Sequence, residues 1–234
     1  FCPRISTDKS LEADQYALEL SGILNLYKVA GENIEGAIIS SVVPQITDTV
    51  ARALRMFAGV EPLKLTQELP TGVGVNIDTP SELGADLLAG AIAAKALYPL
   101  PAIVIDMGTA TKITAVDEQG TVQGVSIMPG VFISLDALVN GTSLLKGIAT
   151  NAPVRAIGKN TVESMQSGVV FGAASMLDGM VERFEAELGP AKTLVATGGA
   201  AGIVVPHCRH SVQYVPTLIL DGLYAVYCRT HAAL

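Results

Sequence analysis

The sequence predicts a mixed α/β fold, and three observations carry that prediction. Half of the 234 residues are apolar and only 16% are charged, the balance expected when strands buried on both faces alternate with helices. Short apolar runs of strand length recur between stretches whose apolar residues fall every third or fourth position. Glycine and proline punctuate the joins between them. A chain of this length can hold two small domains or one large one. Pro99 and Pro101 interrupt it just before an apolar run, so the expected boundary lies at 98–101, giving domains 1–98 and 99–234.

Each element follows from local pattern. Between Asp14 and Val29, apolar residues at Ala17, Leu18, Leu20, Ile23, Leu24 and Tyr27 keep a helical rhythm that stops near Gly31. Gly36 to Val43 reads as a buried strand, Pro44 starts a helix running through Met56, and Val60 to Thr66 reads as a second strand. Together these form a β-α-β unit. Thr71 to Pro80 carries glycine and proline without periodicity and is expected to be a loop, followed by a helix from Ser81, its expected N-cap, to Leu97. Strands are expected at 102–107, 111–117 and 121–127, with Asp117-Glu118-Gln119-Gly120 as a hairpin turn. Helices are expected at 130–139, 162–188 and 218–229, and a short strand at 194–197. No tandem repeat of 20 to 50 residues is visible.

Composition excludes some functions. The formal charge is −7 and no lysine or arginine cluster occurs, so the electrostatic footprint of a nucleic-acid binder is missing. Net acidity does not exclude anionic nucleotides, because backbone N–H groups, helix N-termini and metal ions supply local positive potential. The apolar runs fall far short of the ~18 residues that span a bilayer, so no membrane partner is expected. Cys2, Cys208 and Cys228 have no metal-ligand spacing and no stretch reads as a leader, which makes the cytoplasm the expected compartment.

Two stretches could carry chemistry. Ile103-Val104-Ile105-Asp106-Met107-Gly108-Thr109-Ala110-Thr111 is an apolar strand delivering a carboxylate into a Gly-Thr turn. Such a turn can cradle a phosphate with backbone N–H groups beside a cation-binding acid. A plain hairpin turn fits that segment equally well. Val195-Ala196-Thr197-Gly198-Gly199-Ala200-Ala201 ends a strand in a glycine pair, which lets the chain approach a flat ligand or simply turn. His207 and His210 stand in a loop with no neighbouring carboxylate in sequence, so they are expected to be surface residues rather than metal ligands. Tyr214, Tyr224 and Tyr227 are expected to pack in the core or an interface, since Tyr224 and Tyr227 share a helical face with Leu220 and Leu223.

The two stretches together resemble the nucleotide site of the actin and sugar-kinase superfamily. Pro80-Ser81-Glu82-Leu83-Gly84-Ala85-Asp86, the Asp106 strand, Met128-Pro129-Gly130 and Gly158-Lys159-Asn160-Thr161 occur in the order found in type III pantothenate kinases. Ser40-Ser41-Val42-Val43-Pro44 is also similar to that family. The resemblance implies two stacked ribonuclease-H-like domains with an interdomain cleft, a homodimer, and ATP-dependent phosphorylation of the primary hydroxyl of pantothenate with Mg²⁺ and a monovalent cation, K⁺ or NH₄⁺. By the same resemblance Asp86 matches the catalytic base, a role a carboxylate can fill by taking the hydroxyl proton. Gly84, Ala85, Asp86 and Leu87 match the substrate segment, Thr161 a pantothenate contact, Asp106 the cation ligand, and Gly108, Thr109, Gly198 and Gly199 the nucleotide-binding positions. Thr161 can equally be read as the N-cap of the following helix.

The chain departs from the family pattern in three places. Members begin with a strand bearing an Asp-x-Gly-Asn-Thr phosphate-binding turn, whereas Arg4-Ile5-Ser6-Thr7-Asp8 resembles the segment just after it; truncation of that hairpin is the expectation. Many members carry an aromatic residue at the place of Ile77 and an arginine at the place of Leu87. Loss of that arginine removes a bidentate carboxylate anchor. Two alternatives therefore stand beside the pantothenate reading: a kinase for another small hydroxyl compound, and a catalytically silent regulatory or binding relative.

Overall fold

The computed structural model describes residues 1–142, 145, 147–151 and 155–232. The expected α/β character holds throughout, and the chain forms two compact units.

One unit comprises Phe1–Thr71, Ser81–Ile92 and Ile219–Leu234. Its first helix, α1, is Ala13–Leu26, and α2 is Pro44–Ala58. Proline sits at the first position of α2, where its missing N–H costs nothing, and Gly59 closes the helix at φ +67°. The two helices pack together, with Tyr16, Ala51 and Ala53 buried. Strands β1 (Ile38–Ile39) and β2 (Leu63–Lys64) flank α2 and pair in parallel, Ile38 opposite Leu63. The β-α-β unit is therefore present, although regular pairing is confined to two residues per strand.

Helix α3 is Ala85–Leu97. Ser81 does not cap it: the chain makes a 3-10 turn over Pro80–Glu82, and the helix opens with Leu88 N–H donating to Gly84 O at 3.0 Å. Leu88, Ala89 and Ala91 to Ala94 are buried, whereas Leu97 at its end is 56% exposed.

The other unit comprises Gly72–Pro80 and Ala93–Leu218. Its sheet has six strands: β3 (Gly74–Val75), β4 (Ala102–Met107), β5 (Ala110–Val116), β6 (Thr121–Pro129), β7 (Thr193–Thr197) and β8 (Gln213–Tyr214). They lie in the order β3-β6-β5-β4-β7-β8. The antiparallel meander β4-β5-β6 is extended by β7 and β8, each parallel to its neighbour. This is the ribonuclease-H-like arrangement. Strand β3, in the stretch expected to be a loop, adds in parallel at Thr121 and Val122; two residues leave no periodicity to detect. The hairpin turn between β5 and β6 is as expected, with Asp117 Oδ1 accepting from Gln119 and Thr121 N–H and Gly120 at φ +77°.

Helix α4 is Val131–Asn140, α5 is Thr161–Leu188 and α6 is Ala201–Val204, while α7, Leu218–Ala232, lies from Ile219 on in the first unit. The core of the second unit joins Ile103, Ile105, Met107 and Ile113 of the sheet to Leu177 and Val181 of α5. Asn160, not Thr161, caps α5: its Oδ1 accepts from Glu163 N–H at 2.9 Å. Glu163 reaches back to accept from Lys159 N–H at 2.9 Å, a bond that holds its carboxyl below the ordinary value.

Midway along α5, buried Asp178 accepts from the N–H groups of Arg209 and His210 and pairs with His210 Nδ1 at 3.0 Å. His210 is therefore not the surface residue expected. Its acidic partner is 32 residues away in sequence and invisible to spacing. His207 packs edge-on against Phe171, ring centroids 5.2 Å apart. Burial alone would raise the Asp178 carboxyl, but the bonds from Arg209 and His210 outweigh it and hold the group below its ordinary value. A depressed carboxylate contributes stability that is present above its unfolded pKa and lost as pH falls through the lower folded value. Asp178→Ala is expected to lower unfolding free energy by about 2–3 kcal/mol at neutral pH. Urea unfolding should show that difference shrinking below about pH 4.

Candidate active site

Two separate stretches converge on the β4-β5 hairpin. Its tip is Gly108-Thr109, closed by Gly108 N–H donating to Ala110 O at 3.1 Å. Gly198, just after β7, has φ +95°, and a Cβ built there would lie 2.5 Å from the Met107 carbonyl carbon. Ala200 N–H donates to Met107 O at 3.2 Å, tying the Gly198-Gly199 turn to the hairpin. Gly130, between β6 and α4, rests against the same tip: its Cβ would stand 2.7 Å from Gly108 O. The Asp106 turn, the Met128-Pro129-Gly130 segment and the glycine pair thus form a single backbone-rich surface, the kind that can face a polyanionic ligand with N–H groups.

Asp106, one residue before the end of β4, lies directly opposite Lys112 of β5 and in register with Thr197 of β7. Lys112 Nζ is 3.1 Å from Asp106 Oδ2, and the side chains are only 16% and 17% exposed. Sequence reasoning missed Lys112. The signal was available: with a three-residue loop closing at Met107 and Thr111, positions 106 and 112 must face each other, and such pairs interact. Among the described residues no group of three or more His, Cys, Asp or Glu side chains could hold a metal ion.

Asp86 occupies the first turn of α3, half-buried, with Oδ1 accepting from Leu87 N–H at 2.8 Å. Gly84 packs against it, since a Cβ there would lie 2.8 Å from that oxygen. Asp86 opens onto a pocket of ≈ 410 Å³ lined by Ser40, Ser41, Val43, Ile46 and Thr47. Ser41 and Val43 shape its wall, Val43 N–H donating to Ser41 Oγ at 3.0 Å. The Ser40-to-Pro44 segment and the Gly84-to-Leu87 segment, distant in sequence, thereby come together. Ala85 opens α3, and Leu87 is buried at 9% exposure.

Thr161, the first residue of α5, is exposed and lines a pocket of ≈ 920 Å³ whose walls include Met128, Pro129, Leu138, Met165 and Met176. Of the tyrosines expected to pack, Tyr227 does: its ring lies against Gly36, where a Cβ would be 2.6 Å from Cζ, and stacks on His231 at 4.1 Å. Tyr224 is 69% exposed, because one helical turn places it beside Leu220 on the outer side of α7. No helix among the described residues is long and apolar enough to cross a membrane.

Gly198 is held by both its positive φ and its close approach to Met107. Gly198→Ala is expected to destabilise the protein by about 2–4 kcal/mol through strain at positive φ and the clash with Met107. A lower urea midpoint at unchanged slope would report it.

The sequence profile of type III pantothenate kinases matches residues 3–183. A type III pantothenate kinase of Roseiflexus sp. (strain RS-1) is 38% identical over 224 residues, 96% of this chain and 88% of that protein. One from Streptomyces griseus is 41% identical over 235 residues, covering 97% and 88%. Among solved structures, a conserved putative Baf family transcriptional activator from Campylobacter jejuni superposes with a TM-score of 0.60 at 17% identity, over 90% of this chain and 89% of that one. Component A of (R)-2-hydroxyglutaryl-CoA dehydratase from Acidaminococcus fermentans gives 0.50 at 15% identity, over 93% and 83%. At such identities these two likenesses speak for the fold alone. Length-spanning identity to the kinases carries more: the chain belongs to the type III pantothenate kinase family.

Proposed function

We propose that the protein transfers the γ-phosphoryl group of ATP to the primary hydroxyl of pantothenate, giving 4'-phosphopantothenate and ADP, the first step of coenzyme A biosynthesis. The observation that carries this reading is identity of 36–41% to proteins named type III pantothenate kinase, over nearly the whole chain.

In the proposed reaction Asp86 accepts the hydroxyl proton as the substrate oxygen attacks the γ-phosphorus in line, and the bond to the ADP oxygen breaks. The Leu87 N–H on Oδ1 and the close approach of Gly84 support a fixed carboxylate at the mouth of a polar-edged pocket. Gly108, Thr109, Gly198 and Gly199 are the proposed nucleotide contacts, supported by their assembly into one backbone surface. Mg²⁺ bound with ATP supplies charge neutralisation on the phosphates. Asp106 is proposed to hold the positive charge of the nucleotide site, the place where the family pattern sets K⁺ or NH₄⁺. Its carboxylate already faces Lys112 Nζ at 3.1 Å, so the residues present do not fit an added monovalent ion, and no step is routed through one.

Thr161 is the proposed pantothenate contact, its hydroxyl released from capping by Asn160. A homodimer is the proposed assembly, supported by the exposed apolar side chains of Phe132, Ile133 and Leu138 on α4 and Val162 on α5. The cytoplasm is the proposed compartment, in keeping with three unpaired cysteines.

A second reading rests on Leu87. Buried and uncharged where the resemblance leads one to expect an arginine, it offers no anchor for the pantothenate carboxylate. A different hydroxyl acceptor is the consequence to test. ADP release by the full-length protein, measured with pantothenate and a panel of small alcohols, separates the two: the highest kcat/KM should fall to pantothenate, and turnover of another acceptor alone would replace that substrate. Asp86→Asn should lower kcat by about 10²–10⁴-fold with an unchanged melting profile. Undiminished turnover would remove Asp86 as the base.

A further inference from the structure

We propose that the side-chain ammonium of Lys112 is the built-in cation of the nucleotide site, so that this kinase works without an added monovalent cation. The inference rests on the kinase reading above and concerns the same site.

The geometry is that of a preset charge. Asp106 and Lys112 are register partners on adjacent antiparallel strands, so the backbone itself holds the two side chains on one face. The strand bearing Asp106 is buried from Ala102 to Ile105 and again at Met107, flanked by β5 and β7, which leaves the pair little freedom to separate. Both side chains are more than four-fifths buried and their charged atoms stand 3.1 Å apart.

A carboxylate in that state has no spare charge for a second cation. An ion seated at Asp106 would either displace Lys112, leaving a largely buried ammonium without its counter-charge, or sit within a few ångströms of a like charge in a poorly screened place. Both arrangements are unfavourable. Lysine nevertheless supplies what the site asks of a cation. Its terminus carries one positive charge and three N–H donors, close in chemistry to the ammonium ion that serves the family pattern, and lysine is a common point-charge partner of phosphate. Its seat three residues beyond Thr109, on the strand leaving the turn, places the charge beside the proposed phosphate surface. Because a covalently held cation is not lost by dilution, the nucleotide site is complete at any salt composition.

The test uses the full-length protein exchanged into a buffer with a bulky organic cation and free of K⁺ and NH₄⁺. Calorimetric affinity for a non-hydrolysable ATP analogue with Mg²⁺, and kcat/KM for ATP, are each measured before and after addition of saturating KCl or NH₄Cl. The wild-type values should change by less than about twofold, whereas Lys112→Thr should lose about tenfold or more without the ions and regain it with them. Lys112→Arg, which keeps the charge, should remain indifferent to the ions. A wild-type response of about tenfold or more to K⁺ or NH₄⁺ would overturn the proposal, as would a Lys112→Thr protein indifferent to ions. Should that variant fail to fold, the wild-type comparison still decides. An enzyme that binds the analogue without phosphorylating pantothenate in any buffer would sink the substrate reading instead, and the affinity measurement would still judge the role of Lys112.

Discussion

The candidate site is held together by the close approach of two glycines to one hairpin. Gly198 and Gly130 lie against the tip of the β4-β5 hairpin at distances that no side chain permits, and Ala200 N–H fastens the first of these turns to Met107. Three chain segments that begin far apart therefore end as neighbouring strips of bare backbone. Bare backbone carries no side-chain cover, which suits the close approach of a phosphate. The apolar core under the hairpin, from Ile103 to Met107 and across to Leu177 and Val181, keeps that surface from relaxing.

Charge in this acidic protein is arranged locally. Asp178 is satisfied by Arg209 and His210 and fixes the loop that leads to β8; Asp106 is matched by Lys112 across the hairpin; Asp86 sits in the first turn of a helix at the mouth of a pocket. Three buried or half-buried aspartates thus have three environments: one bonded by backbone N–H groups and a histidine, one paired with a lysine, and one beside a pocket. The net charge of −7 predicts none of this. An overall acidic balance does not exclude a site for a polyanion, because backbone dipoles act at short range, where they are screened least.

Much of the fold was legible because it follows from contacts near in sequence. Proline at the start of α2 and Gly59 at its end, the Asp117-to-Gly120 hairpin and the unbroken apolar run of β4 are local devices, and the structure has each of them. Errors fell where local preference was overruled or too short to detect. Ser81 has the chemistry of an N-cap, but a 3-10 turn carries the chain on to Gly84 before the helix opens. Strand β3 exists only because β6 offers an edge to pair with, and Asn160 took the capping role that Thr161 could also have filled.

The sequence by itself determined the α/β class, the order of the main elements and the candidate residues Asp86, Asp106 and the glycine pair, since periodicity, turn chemistry and motif are properties of neighbouring residues. Only the tertiary structure decided which of these meet. It joined Gly130 and Gly198 to the Asp106 hairpin, gave His210 its carboxylate, put Tyr227 into the space left by Gly36 while leaving Tyr224 exposed, and set Lys112 against Asp106. Strand register and close packing are agreements between distant segments, reached when the core is buried, and no short window of sequence contains both partners.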